Sequence, residues 1–187
     1  ATINGTNTVL WKNTAANKLH TWYLDSNWSR VSGQDWLDPN SSAALSFETN
    51  FNLDLNGDGS LGANYSTVNT AGNVAFQKDS GTGLYAVSVD GGSPIAITRN
   101  GEQIHEGIYG GWQTLAAASI NGTNTVLWKN LEANKLHTWY LDSNWSRISG
   151  QDWIDPKSAA ALRLESDFKL DLNGDSRVGT TIAVKGT

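Results

Sequence analysis

The chain has 187 residues, with 13 Lys and Arg against 18 Asp and Glu for a net charge of −5, 9 Trp, and neither Cys nor Met. That length holds one large domain or two small ones with a sizeable core. The mild acidity argues against a phosphate-binding surface of clustered Lys and Arg, and the missing Cys excludes disulfides, thiolate metal sites and Cys nucleophiles. No apolar run approaches the ~20 residues of a membrane helix, and no basic-then-apolar leader opens the chain, so neither nucleic acid nor membrane insertion is expected. A chain opening at Ala1 without Met reads as a processed or excised fragment. A surface rich in Asn, Ser, Thr and Gly but poor in Lys suits an exported bacterial module.

The first element in chain order is half of an internal repeat. Residues 3–62, opening INGTNTVLWKN, align without a gap to residues 120–179, with 46 of 60 positions identical; residues 63–119 have no counterpart. We therefore divide the chain into a partial repeat over 1–62, a complete unit over 63–179, and a tail over 180–187 that ends the protein or starts another copy. The partial repeat is expected to cover its apolar residues against the complete unit or a second molecule.

The fold expected is mainly β, with short antiparallel strands and hairpins, and one helix per repeat leading into a calcium-binding loop. Val74–Gln77 and Leu84–Val89 flank a turn at 79–83, and Ile95–Thr98 precedes Asn100-Gly101, a strong hairpin signal, with Glu102–Ile104 returning. Trp112–Ala118 and Thr125–Lys129 flank Asn121-Gly122, and Leu136–Leu141 follows. On these last two strands large apolar groups alternate onto both faces, which predicts a sheet covered on both sides. A helix is predicted from Asp155-Pro156, and from Asp38-Pro39 in the first copy, with Asp as the N-cap and Pro at the first helical position. Ala161, Leu164 and Phe168 form its apolar stripe, with Arg163, Glu165 and Asp167 opposite.

The helix runs into Asp54-Leu55-Asn56-Gly57-Asp58-Gly59-Ser60, repeated as Asp171-Leu172-Asn173-Gly174-Asp175-Ser176-Arg177. Oxygen donors at positions 1, 3 and 5, with a backbone carbonyl at position 7, can converge on one hard cation; the expected cofactor is calcium. The expected ligands are Asp54, Asn56, Asp58 and Ser60 in one loop and Asp171, Asn173, Asp175 and Arg177 in the other. The twelfth position, a bidentate Glu in an EF-hand, is Tyr65 or Ile182. Water, Glu48 or Glu165, or another part of the fold are the open sources of the missing ligand. Ser176 in place of Gly59 predicts a more strained second turn.

GWQTLAAASINGTNTVLWKN, the DSNW element and the terminal DLNGDGSLG together resemble the tryptophan-rich C-terminal domain family first described in Synechocystis proteins. The resemblance spans essentially the whole chain. It implies a repeated module of large secreted or surface bacterial proteins, with adhesin-like neighbours, and it carries no assigned chemistry. The final loop is also similar to the calcium loops of dockerins and EF-hands. A strand is expected after it, however, so no cohesin partner is implied.

Four Trp recur in both copies: Trp11, Trp22, Trp28 and Trp36 match Trp128, Trp139, Trp145 and Trp153. Trp11, Trp22, Trp128 and Trp139 lie on strands and read as core. Trp28, Trp36, Trp145 and Trp153 lie among Asp, Asn and Gln, where they are either pinned under loops or free to stack on a sugar. If a glycan is bound, Trp145 flanked by Asp142 and Asn144 is the best candidate. His20 and His137 read as satisfied core residues, and no nucleophile elbow, metal-binding helix or phosphate loop is present. The reading is a non-catalytic, calcium-binding structural or adhesive repeat module, secreted or on the cell surface, whose partners are neighbouring repeats. The alternative is a lectin-like module bound to glycan or surface polysaccharide.

Overall fold

The computed structural model describes residues 1–179, so the tail over 180–187 and the loop position Ile182 lie outside the described residues. The chain divides into two compact units, the first being Ala1–Asn64 with Ser80–Thr82 and the second Tyr65–Asp79 with Gly83 onward. Among the described residues no helix is long and apolar enough to cross a membrane.

Unit 1 is one antiparallel sheet with a helix. β1 (Thr2–Ile3), β2 (Thr6–Asn13), β3 (Lys18–Leu24) and β4 (Arg30–Leu37) are hydrogen-bonded in that order, followed by α1 (Ser42–Phe51). Leu19, Ala44 and Leu55 form a small core with Leu10, Leu37 and Phe47.

Unit 2 has two four-stranded antiparallel sheets. The first runs β5 (Tyr65–Ala71), β6 (Val74–Asp79), β7 (Tyr85–Val89) and β8 (Ile95–Ala96); β9 (Thr98–Arg99) and β10 (Glu102–Gln103) form a short ribbon. The second runs β11 (Trp112–Ile120), β12 (Thr123–Asn130), β13 (Lys135–Leu141) and β14 (Arg147–Ile154), and α2 (Ala159–Phe168) follows. One core gathers Phe76, Tyr85, Val87, Ile97 and Ile104 against Val126, Trp128, Trp139, Leu141 and Trp145. A second sets Ala116, Leu127, Leu136 and Ile154 against Ala161, Phe168 and Leu172. Adjacent residues such as Val126 and Leu127 therefore enter different cores, as a period of two requires. At the Asn100-Gly101 and Asn121-Gly122 turns both residues have positive φ, 54° and 81° and 50° and 78° respectively, the geometry that twists with the flanking strands.

Three expectations are corrected. The helices are capped by Ser41 and Ser158, whose hydroxyls accept from Ala44 N at 3.3 Å and Ala161 N at 3.2 Å. Asp38 and Asp155 stand one turn earlier and close a bend, their side chains accepting from Asn40 N and Lys157 N. Pro39 and Pro156 are thus not helical. Glu165 is not on the solvent side of α2 but fully buried. Finally, the segments holding Trp36 and Trp153 are strands, β4 and β14; the strand expected after the first loop is β5.

β4 and β14 are exposed over almost their whole length, so they lack the alternation that marks a half-buried strand. The pairing of β13 with β14 slips between Leu136 and Thr138 and again between Tyr140 and Leu141. Between the slips the backbones lie so close that a Cβ on Gly150 would stand 2.5 Å from the Thr138 carbonyl oxygen; the corresponding distance for Gly33 and Thr21 is 2.4 Å. No side chain fits there.

Candidate functional site

The two Asp-Asn-Asp loops have the same construction. Asp54 accepts from Gly57 N at 2.6 Å and Gly59 N at 2.9 Å, Asn56 Oδ1 from Asp58 N at 3.0 Å, and Asp58 Oδ1 from Ser60 N at 2.8 Å. In the second loop Asp171 accepts from Gly174 N at 2.7 Å and Ser176 N at 2.7 Å, Asn173 from Asp175 N, and Asp175 from Arg177 N. At positions 1, 3 and 5 of each loop a side-chain oxygen is therefore turned onto its own loop, where it holds the backbone in a bend. Among the described residues no group of three or more His, Cys, Asp or Glu gathers for a metal ion. The loop set is two carboxylates, one amide and a backbone carbonyl, all hard oxygens of the kind calcium takes.

The amides have an electrostatic consequence. N–H groups of Gly59 and Gly57 hold the Asp54 carboxyl below its ordinary value of 3.8. At Asp171 desolvation pushes upward, but the amides of Gly174, Ser176, Asp175 and Asn173 outweigh it, and the net direction is again down. A carboxyl depressed in the folded state contributes stability above about pH 4, and that contribution is lost as pH falls through the folded values. The urea midpoint is expected to drop below pH 4 more steeply in the parent than in an Asp54→Asn, Asp171→Asn variant; parallel profiles would contradict this.

Glu48 and Glu165, open sources of the missing ligand, are turned to backbone amides of their loops. Both are fully buried. Glu48 Oε1 accepts from Leu55 N at 2.9 Å and Asn56 N at 3.1 Å, and Oε2 from Gly62 N at 2.9 Å. Glu165 does the same for Leu172 N, Asn173 N and Gly179 N. One helix carboxylate thus ties both ends of each loop to the helix, a use that no sequence motif for metal binding signals.

The second loop carries the strain expected of it. Ser176 has φ +65° where Gly59 has +84°, and a side chain in the left-handed region costs about 1–2 kcal/mol. Ser176→Gly is expected to raise stability by about 1 kcal/mol, read from the denaturation midpoint. An unchanged midpoint would show that the loop relaxes around Ser176.

The DSNW elements are turns. Asp142 Oδ1 accepts from Asn144 N and Ser146 N, both at 2.9 Å, and Asp25 serves Asn27 N and Ser29 N in the same way. Asp142 Oδ1 and the Asn144 backbone amide are therefore engaged in shaping the turn. Trp145 and Trp28 end these turns at φ 60° and 62°. Trp145 is only 2% exposed and belongs to the core of unit 2, which corrects the expectation of a free indole there; Trp28 is 56% exposed. Trp36 and Trp153 are exposed, and Trp153 lies 5.9 Å from Trp112 between ring centroids. Trp128 and Trp139 are core as expected, but Trp11 is exposed.

Arginine–aromatic stacking was not legible. Arg147 stands over Trp139 at 5.0 Å and Arg99 over Tyr109 at 5.5 Å, the latter donating to the Tyr109 hydroxyl at 2.7 Å. With Trp112 and His137 they line a cleft of about 170 Å³. His137 Nδ1 lies against the Asp152 carboxylate, and His20 Nδ1 against that of Asp35. Burial lowers the His137 pKa, against the opposing pull of Asp152. Lys135 pairs with Asp155 at 2.6 Å and Lys18 with Asp38 at 2.7 Å. Asp35 and Asp38, and Asp152 and Asp155, thus each lie against a His or Lys side chain of the neighbouring strand.

No curated protein and no solved structure matches the chain. The family described as the tryptophan-rich Synechocystis species C-terminal domain matches residues 1–62 and 75–179. That match covers both copies of the repeated loops and of the recurrent Trp, and most of the strands between them. The chain belongs to the tryptophan-rich Synechocystis C-terminal domain family.

Proposed function

We propose that this chain is a non-catalytic structural repeat module whose two Asp-Asn-Asp loops take up calcium. The observation that supports it is the double occurrence of one loop whose oxygens at positions 1, 3 and 5 all face its own backbone. Asp54, Asn56 and Asp58, with the Ser60 carbonyl, would hold one ion; Asp171, Asn173 and Asp175, with the Arg177 carbonyl, would hold the other. Calcium supplies a compact double charge there. Glu48 and Glu165 pin each loop to its helix, so an ion would tighten a loop already shaped and would stabilise rather than catalyse. In the full protein such modules, exported to the cell surface, would be joined in series and meet neighbouring repeats. The glycan alternative loses its best residue with the burial of Trp145.

A ligand that binds only the folded state adds about 2.7 kcal/mol at a hundredfold excess over Kd. Melting in millimolar calcium is expected to lie above melting in chelator, with the difference reduced in Asp54→Ala and again in Asp171→Ala. Superimposable parent curves would sink the calcium assignment.

A further inference from the structure

The aromatic core of unit 2 is shared between two halves of the repeat: Val126, Trp128, Trp139, Leu141 and Trp145 on one side, and Phe76, Tyr85, Val87, Ile97 and Ile104 on the other. Unit 1 has the same first set as Val9, Trp11, Trp22, Leu24 and Trp28. Its ladder has the same register, Val9 opposite Trp22 and Trp11 opposite His20, as Val126 faces Trp139 and Trp128 faces His137. Yet Trp11 is 50% exposed where Trp128 is 3% exposed, and Trp28 is open where Trp145 is sealed. Clustered exposed indoles mark an interaction surface.

A second observation is independent of side chains. In unit 2, β11 runs beside β12 from the Trp112–Asn130 pair to the Ile120–Thr123 pair. In unit 1, β1 pairs with β2 only at Thr2–Asn7 and Ile3–Thr6. Among the described residues, the outward edge of β2 from Val9 to Asn13 has no strand beside it. An open edge next to an apolar face is what strand addition requires: main-chain bonds give affinity and side chains give choice.

We propose that this face of unit 1 is a docking surface for a half-repeat, a second copy of residues 63–119. The occupant lays its β11 strand on β2 with Thr114 opposite Trp11 and Ala117 opposite Val9. Its Tyr85, Val87, Ile97 and Ile104 then cover Trp11, Trp22 and Trp28, as they cover the equivalent Trp in unit 2. The inference rests on the repeat reading but not on calcium, so it is tested in chelator.

Polypeptide 63–119 is titrated into the full chain. A one-to-one complex is expected, with hydrogen-exchange protection gained at residues 9–13. Trp11→Asp is expected to weaken it by at least about tenfold. Val31→Ser is expected to leave it unchanged, because Ile148 at the matching position of unit 2 stays exposed. In a chain carrying residues 63–117 joined ahead of Ala1, Trp emission is expected to shift to shorter wavelength and Trp11 and Trp28 to be withdrawn from acrylamide; this chain decides the matter if the free polypeptide does not fold. Unchanged quenching in the joined chain overturns the proposal. So does binding that Trp11→Asp leaves intact, or a full chain that dimerises through this face without the polypeptide.

Discussion

Trp145→Ala is expected to destabilise unit 2 by about 3–5 kcal/mol, the range for emptying a large aromatic site in a packed core, whereas Trp28→Ala in the identical DSNWSR sequence should change stability by less than about 0.5 kcal/mol. Both residues end the same turn, both have φ near 60°, and both are preceded by an aspartate that accepts the same two amides. The backbone strain is therefore common to the pair and cancels in the comparison. What differs is the surroundings: Trp145 is enclosed with Trp128, Trp139, Ile97 and Ile104, and Trp28 faces water. Denaturant unfolding followed by hydrogen exchange in each unit separates the two effects. Equal losses would show that Trp28 is covered in solution, and equal indifference that Trp145 is not core.

The second large effect is expected at Glu165. Glu165→Ala leaves the amides of Leu172, Asn173 and Gly179 without their acceptor, two of them in buried bonds. A stranded buried donor costs about 1–3 kcal/mol, so a total loss of roughly 3–5 kcal/mol is expected. Glu165→Gln keeps one acceptor oxygen for Leu172 and Asn173 but turns an amide nitrogen toward Gly179, for a loss of about 1–3 kcal/mol. Both should be measured in chelator. A penalty that appears only with calcium present would make Glu165 a metal ligand after all, and the hydrogen bonds incidental.

The sequence was informative where one physical constraint acted alone. Alternation on β12 and β13 gave both buried faces, because adjacent residues there enter different cores. The Asn-Gly pairs announced their hairpins through the positive φ that Asn and Gly tolerate. Where two constraints competed, the reading failed. Asp38 and Asp155 have the chemistry of a helix cap, but Ser41 and Ser158 stand closer to the first free amides and take the role. Glu165 looked solvent-facing by charge, yet three amides from the following loop make burial of its carboxylate favourable. Trp145 and Trp28 cannot be told apart locally. Their fates depend on residues 63–119, which lie far away in sequence and accompany only one copy of the repeat.

The double slip in the pairing of β14, with Gly150 pressed against Thr138 between the slips, matters for molecules held at high local density. A sheet's last strand presents N–H and C=O groups outward, a template on which a foreign edge can polymerise. Slips at both ends bend this strand and leave only a short regular run, too few hydrogen bonds to nucleate a growing ladder. β4 has the same slips, between Leu19 and Thr21 and between Tyr23 and Leu24. The last strand of each unit's repeat is thereby a poor template for a foreign edge.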